Sequence, residues 1–188
     1  MKLNRCDWCQ GDPLYESYHD TEWGVPVWED QRLFELLLLE TFQAGLSWIT
    51  ILRKRTNFST AFDQFDYHKI ASYTDQKLLQ LQGNAGIIRN KLKIKAAVTN
   101  ARAFIQIQEE FGSFSAYYWK WSDGKSIINH FKSMKEVPAT TPLSEAISKD
   151  LKKRGFTFVG STIVYAFMQA TGMVNDHLIT CPSHPNQR

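Results

Sequence analysis

At 188 residues, with 43% apolar and 13% aromatic side chains, the chain is long enough for one domain with a sizeable core. Three cysteines cannot all pair, which excludes a disulfide scaffold and points to a reducing, cytoplasmic compartment. A net charge of +3 permits an anionic partner without demanding one; no apolar run approaches a membrane span, and none follows the opening basic residues as a secretory leader would.

Cys6, Cys9 and His19 open the chain, three side chains of the kind that hold zinc. Gln31 to Phe42 then reads as a largely buried helix. Its leucines, Leu36 to Leu39, run into Glu40, a carboxylate in apolar company. Such a group is costly unless paired or functional. A glutamate snorkelling to solvent at a helix end explains the same residue. Trp8, Tyr15, Tyr18 and Trp48 are the aromatics that would turn it into a cage for a flat, cationic, hydrogen-bonding ligand. Leu46 to Arg55 reads as another helix, ending in Arg53, Lys54 and Arg55 as suits a helix C-terminus.

A short leucine-bearing segment, Lys77 to Leu81, leads into Gly83-Asn84-Ala85-Gly86, and a long helix is predicted to open with Ile87, Ile88 and Arg89. Glycines in such a turn allow positive φ and bring backbone N–H groups close to a ligand, and the following helix N-terminus suits a phosphate. Arg89, Lys91, Lys93 and Lys95 are spaced by two, so they spread around the helix and cannot all reach one phosphate strand. An ordinary αα-hairpin with solvated lysines fits the same pattern. Ile94, Val98, Ala101 and Ile105 form a core stripe. Strand signals are weak, and Asp123 to Thr141 is predicted to be irregular. Thr141-Pro142 reads as an N-cap and first helical residue, Leu143, Ile147 and Leu151 as one face, and Gly155 as the stop. Lys152-Lys153-Arg154 is then a solvated helix end. Ser161 to Ala170 is a further apolar helix, closed by Gly172. The fold expectation is all-α.

The chain ends as it began, with His177 and Cys181. Their spacing predicts two side chains on one helix face. An ion taking ligands from both ends would close a loop of ~160 residues, worth roughly 4–5 kcal/mol of chain entropy. Small buried cysteines and unrelated histidines fit the same residues. His68, His130 and His184 read as surface or structural, although His184, near Cys181, is also a rival ligand, as is Cys9 through Cys6-x2-Cys9.

Several blocks, in order and nearly end to end, give the chain its resemblance to a known family. They are Arg5-Cys6-x-Trp8, Asp12-Pro13-Leu14-Tyr15, Tyr18-His19-Asp20-x-Glu22-Trp23-Gly24-Val25-Pro26 and Gln43-Ala44-Gly45-Leu46-Ser47-Trp48-Ile49-Thr50. Further on come Ala85-Gly86-Ile87-Ile88-Arg89, Lys152-Lys153-Arg154-Gly155-Phe156, Phe158-Val159-Gly160 and Val174-Asn175-Asp176-His177. The chain resembles the DNA-3-methyladenine glycosylase I family, the zinc-containing branch of the helix-hairpin-helix DNA glycosylases. The middle region, Gly112 to Pro138, matches it least.

The resemblance implies a single domain over residues 1–188, two helical lobes sharing a base-binding cleft. It implies one structural zinc on Cys6, His19, His177 and Cys181, which leaves Cys9 out. It implies that Glu40 accepts hydrogen bonds from the adenine edge and is the residue to act in catalysis. Trp48 and Tyr18 contact the ring, and Trp8 and Tyr15 line the cavity. Gly45 and Leu46 probe the gap left by a flipped base, while Gly86, Ile88 and Arg89 hold the DNA backbone. The implied reaction is hydrolysis of the N-glycosidic bond of 3-methyladenine in alkylated duplex DNA, leaving an abasic site. Other branches of the superfamily place an aspartate after the hairpin; here none occurs between Arg89 and Asp123, in keeping with this branch. A Schiff-base mechanism is disfavoured because no lysine is evident near the motif set. A monomer is expected. The rival readings are a zinc-stabilised nucleic-acid-binding module without chemistry, and a metallohydrolase with three ligands and an open zinc.

Overall fold

The computed structural model describes residues 4–187, so the ends of the expected 1–188 domain lie outside the described residues. The helices are α1 (Pro13–Thr21), α2 (Asp30–Gln43), α3 (Trp48–Ala61), α4 (Tyr67–Ala71), α5 (Asp75–Gly83), α6 (Lys91–Phe111), α7 (Phe114–Trp119), α8 (Pro142–Lys153) and α9 (Ser161–Ala170). The all-α expectation holds, apart from a two-residue parallel pairing of β1 (Ile127–Ile128) with β2 (Val174–Asn175).

Helix α2 is the centre of the molecule. From Leu36 to Phe42 every side chain is buried, against α3, α6, α7 and α9. A helix apolar all round has nowhere to go but inside, and Glu40 is carried in with it. Helix α6 buries Ile94, Val98 and Ala101 as its stripe predicts, but Phe104 and Ile107 continue the stripe while Ile105 is only half-buried. Helix α8 starts as predicted: Thr141 accepts from the Ser144 N–H, and Ser144 Oγ accepts from the Thr141 N–H, a reciprocal cap. Helix α1 has an equally plain start in Asp12-Pro13, where the Asp12 carboxylate accepts from the Leu14 and Tyr15 N–H groups.

Three local expectations need correction. Helix α3 begins at Trp48 and runs on to Ala61, so Arg53-Lys54-Arg55 lies mid-helix. Burial of Phe58 and Ala61 extends the helix beyond the basic triplet. Helix α6 begins at Lys91, with Asn90 as its cap, so Ile87, Ile88 and Arg89 precede it in non-helical backbone. His177 to Cys181 is a loop and turn, not a helix.

The two ends of the chain meet because the segment after α1 lies along the end of α9. Gly24 N–H donates to the Gln169 carbonyl at 2.9 Å and Val27 N–H to that of Thr171 at 3.0 Å. Gly172, at φ +68°, passes so close that a Cβ there would fall on the backbone of Val25 and Pro26. Only glycine permits that crossing. Strand β2 follows and delivers His177 beside His19.

Candidate active site and metal centre

Cys6, His19, His177 and Cys181 are all buried, and their ligand atoms lie within 4.8 Å of one another. His177 Nδ1 is 3.1 Å from His19 Nε2, 3.6 Å from Cys181 Sγ and 3.9 Å from Cys6 Sγ; Cys181 Sγ is 3.6 Å from His19 Nε2. Ligand distances of about 2.0–2.3 Å around a tetrahedral ion give edges of about 3.3–3.8 Å, so the donors are spaced to hold one. The outer nitrogens agree. His19 Nδ1 lies 2.8 Å from Asp20 Oδ1, and His177 Nε2 lies 3.0 Å from the Trp23 carbonyl. Each of those oxygens accepts from a ring N–H, leaving His19 Nε2 and His177 Nδ1 with lone pairs for a metal. Asp20 is itself gripped by the Arg5 guanidinium at 2.8–3.0 Å. The Cys6 sulfur first, and then His177 and His19, hold the Cys181 thiol well below its ordinary range.

The rival ligands stand elsewhere. Cys9 Sγ donates to the Cys6 carbonyl at 3.2 Å. His184 is buried between the Asn129 carbonyl and the Asn186 N–H, and serves structure.

Trp8 joins this cluster to a cavity of about 220 Å³. Its ring packs edge-on at 5.3 Å from His19, 5.0 Å from Trp23 and 4.7 Å from Tyr15. Trp8, Tyr15, Tyr18, Glu40 and Trp48 all line the cavity, as the resemblance to the family implies. The Tyr18 and Trp48 rings lie 5.4 Å apart, tilted by 49°. Glu40 is 3% exposed, and its Oε2 has no hydrogen-bond partner in the protein; nor has the indole N–H of Trp48. Buried polar atoms are nearly always paired; besides the Trp121 indole N–H elsewhere, the unpaired ones among the described residues belong to two residues that line one cavity, an acceptor and a donor that a ligand there could satisfy. Burial lifts the Glu40 carboxyl to about 8. It also lifts the Tyr15 phenol to about 12 and that of Tyr18 well above its usual value, so both stay neutral.

The turn between α2 and α3 leaves from this wall. Gln43 and Trp48, on either side of it, both line the cavity. Gly45 sits at φ +81° and Leu46 is 42% exposed. The α5–α6 turn packs on α3: Lys54 Nζ donates to the Ala85 and Gly86 carbonyls, and Asn57 to that of Gly86, each at 3.3 Å. Neither Gly83 nor Gly86 has positive φ, contrary to expectation. Gly86 is needed for close approach instead, since a Cβ there would come within 3.0 Å of Asn84 Oδ1 and 3.3 Å of Asn57. Ile87 is buried and Ile88 half-buried, whereas Arg89 is exposed. The Asn90 side-chain Oδ1 accepts from the Leu92 and Lys93 N–H groups, so the open start of α6 is partly capped from within.

The model of the methyladenine glycosylase family matches residues 8–184. The chain belongs to that family. DNA-3-methyladenine glycosylase 1 of Escherichia coli K12 is 45% identical over 186 residues, which is 99% of this chain and 100% of that one. A crystal structure of a 3-methyladenine DNA glycosylase I superposes with a TM-score of 0.94 at 49% identity, covering 96% of this chain and all of that one. The Staphylococcus aureus 3-methyladenine DNA glycosylase I, solved to explain its 3-methyladenine recognition, gives 0.94 at 36% identity over 97% of each chain. In this methyladenine glycosylase the cavity wall also includes Trp23, Gln43, Met134, Ala166 and Gln169, which sequence reasoning did not assign. Trp23 and Gln43 sit inside the recognised blocks and were there to be found. Met134 comes from the irregular segment, and no local pattern marks it. Nor was Lys93 expected near the site, yet its ammonium is buried against the end of α2.

Proposed function

We propose that this protein hydrolyses the N-glycosidic bond of 3-methyladenine in alkylated duplex DNA and leaves an abasic site. The observation that carries the reading is the unpartnered Glu40 carboxylate oxygen inside an aromatic cavity of a methyladenine glycosylase chain. Methylation at N3 makes the nucleobase cationic, so it departs as a neutral molecule and the bond is weakened before the protein acts. A glycosidic bond inside the duplex is inaccessible, so the nucleotide must first leave the stack. The hairpin, with Gly86, Ile88 and Arg89, anchors a backbone phosphate. Gly45 and Leu46 occupy the gap. Tyr18 and Trp48 take the flipped ring, with Trp8 and Tyr15 beside them. Glu40 accepts a hydrogen bond from the adenine edge, and as a carboxylate it stabilises positive charge developing on the sugar.

We assign Cys6, His19, His177 and Cys181 to one zinc ion. Four protein donors leave no open position, so the ion would supply structural closure and no nucleophile. Residues 1–188 are read as one domain of two helical lobes, acting as a monomer. Among the described residues no helix is long and apolar enough to cross a membrane.

The test is base release from alkylated duplex DNA with the freed purines separated. Release of 3-methyladenine in preference to 7-methylguanine supports the reading; a folded, zinc-loaded protein that releases nothing overturns it. Gel filtration checks the monomer.

A further inference from the structure

Among the described residues Lys93 is the one buried lysine, and it does not line the cavity. It stands in the first turn of α6, just beyond the hairpin. Its ammonium crosses to α2, donating to the Phe42 carbonyl at 2.8 Å and to the Ala44 carbonyl at 2.6 Å. Carbonyls at a helix C-terminus lack intrahelical partners, and a cation is favourable there. The turn is drawn in from the other side as well, since Leu46 N–H donates to the Gln43 carbonyl at 2.6 Å. The near end is equally fixed, because the Lys93 N–H is held by Asn90 Oδ1 at 3.1 Å. A solvated lysine is a flexible point charge. Here a buried stem and two charge-assisted bonds make it a strut of set length between hairpin and turn.

We propose that Lys93 is a positioning residue for base extrusion. It holds the Ala44-Gly45-Leu46 turn at a fixed distance from the hairpin, so that backbone anchoring and gap filling occur in register. This rests on the roles proposed above for the turn and the hairpin. It also accounts for a lysine near the site that takes no part in bond cleavage: its nitrogen is engaged by two main-chain carbonyls outside the cavity.

Lys93→Met keeps most of the stem and removes the ammonium. Single-turnover excision of 3-methyladenine from duplex DNA would be measured for it, for Leu46→Ala, and for the double variant. The affinity of each for free 3-methyladenine would be read from tryptophan fluorescence. Lys93→Met should slow duplex excision by roughly tenfold to a hundredfold, the scale of a small misplacement, with the free-base affinity unchanged. The double variant should be no slower than the slower single one, because both damage one device. Equal loss of free-base affinity, or multiplicative effects in the double variant, would overturn the proposal. If Leu46→Ala slows excision and Lys93→Met does not, the strut alone fails. If Leu46→Ala leaves duplex excision intact, the role of the turn fails and the strut goes with it. Should Lys93→Met not fold, Lys93→Gln is put through the same measurements.

Discussion

Burial lifts the Glu40 carboxyl to about 8, so at neutral pH most molecules carry it protonated. A cationic nucleotide beside it favours the carboxylate. Excision should therefore quicken as pH rises towards about 8 and then level off, whereas Glu40→Gln should be slower by roughly tenfold to a hundredfold and flat with pH. Single-turnover rates at several pH values decide this; a variant with the parent's profile would remove Glu40 from the role. Stability must run the other way. The folded pKa lies above the ordinary 4.5, so the folded state binds the proton more tightly than the unfolded chain. Stability from this group is full below about 4.5 and declines through about 8. Glu40→Gln has no proton to lose, so its melting temperature should overtake the parent's at alkaline pH. A difference that stays constant from acid to alkaline pH would contradict the buried-acid description. The four leucines before Glu40 marked it, but only the family resemblance chose a site role over a solvent-facing end; Lys93 was not legible, because its acceptors are main-chain carbonyls far off in sequence.

The helices show where local signals mislead. Arg53, Lys54 and Arg55 look like a C-terminal basic cluster, yet successive residues on a helix point about 100° apart. Each serves a different neighbour: Arg53 pairs with Asp12 at the cap of α1, Lys54 holds the hairpin carbonyls, and Arg55 bonds Glu22 and Glu35. Helix α6 starts later than its apolar pattern suggests because Asn90 caps it, which leaves Arg89 outside on an exposed turn. Arg89→Ala should weaken DNA binding evenly across sequences and lower the salt-dependence slope by about one. Fluorescence anisotropy titrations over a salt series measure that, and an unchanged slope would place Arg89 off the phosphates. At the end of α9, Gly172→Ala would drive a Cβ into the Val25–Pro26 backbone at a positive φ. A loss of several kcal/mol is the expected scale for such strain, visible as a steep fall in melting temperature; an unperturbed melt would mean that the crossing yields easily.

Across the whole molecule, the Cys6–His19–His177–Cys181 cluster joins the first helix to the last turn. Metal bound there should contribute roughly 4–5 kcal/mol by closing the chain. A strong chelator should therefore lower the melting temperature, and Cys181→Ser should lose metal content and thermal stability together. Metal analysis and calorimetry on the same samples check this, and full metal content in the serine variant would break the assignment. By itself the sequence determined the helical class, and its resemblance to the family singled out Cys6, His19, His177 and Cys181 from their rivals and grouped Glu40 with Trp8, Tyr15, Tyr18 and Trp48. Apolar periodicity, capping residues and the family blocks are all local or ordered signals. Only the tertiary structure decided that Glu40 and Trp48 are left without partners, that Met134 and Gln169 join the cavity, and that Lys93 ties the hairpin to the turn. Those facts depend on which surfaces α2, α6 and α9 bury against one another. Long-range packing sets hydrogen-bond satisfaction and distance, and neither leaves a periodic trace along the chain.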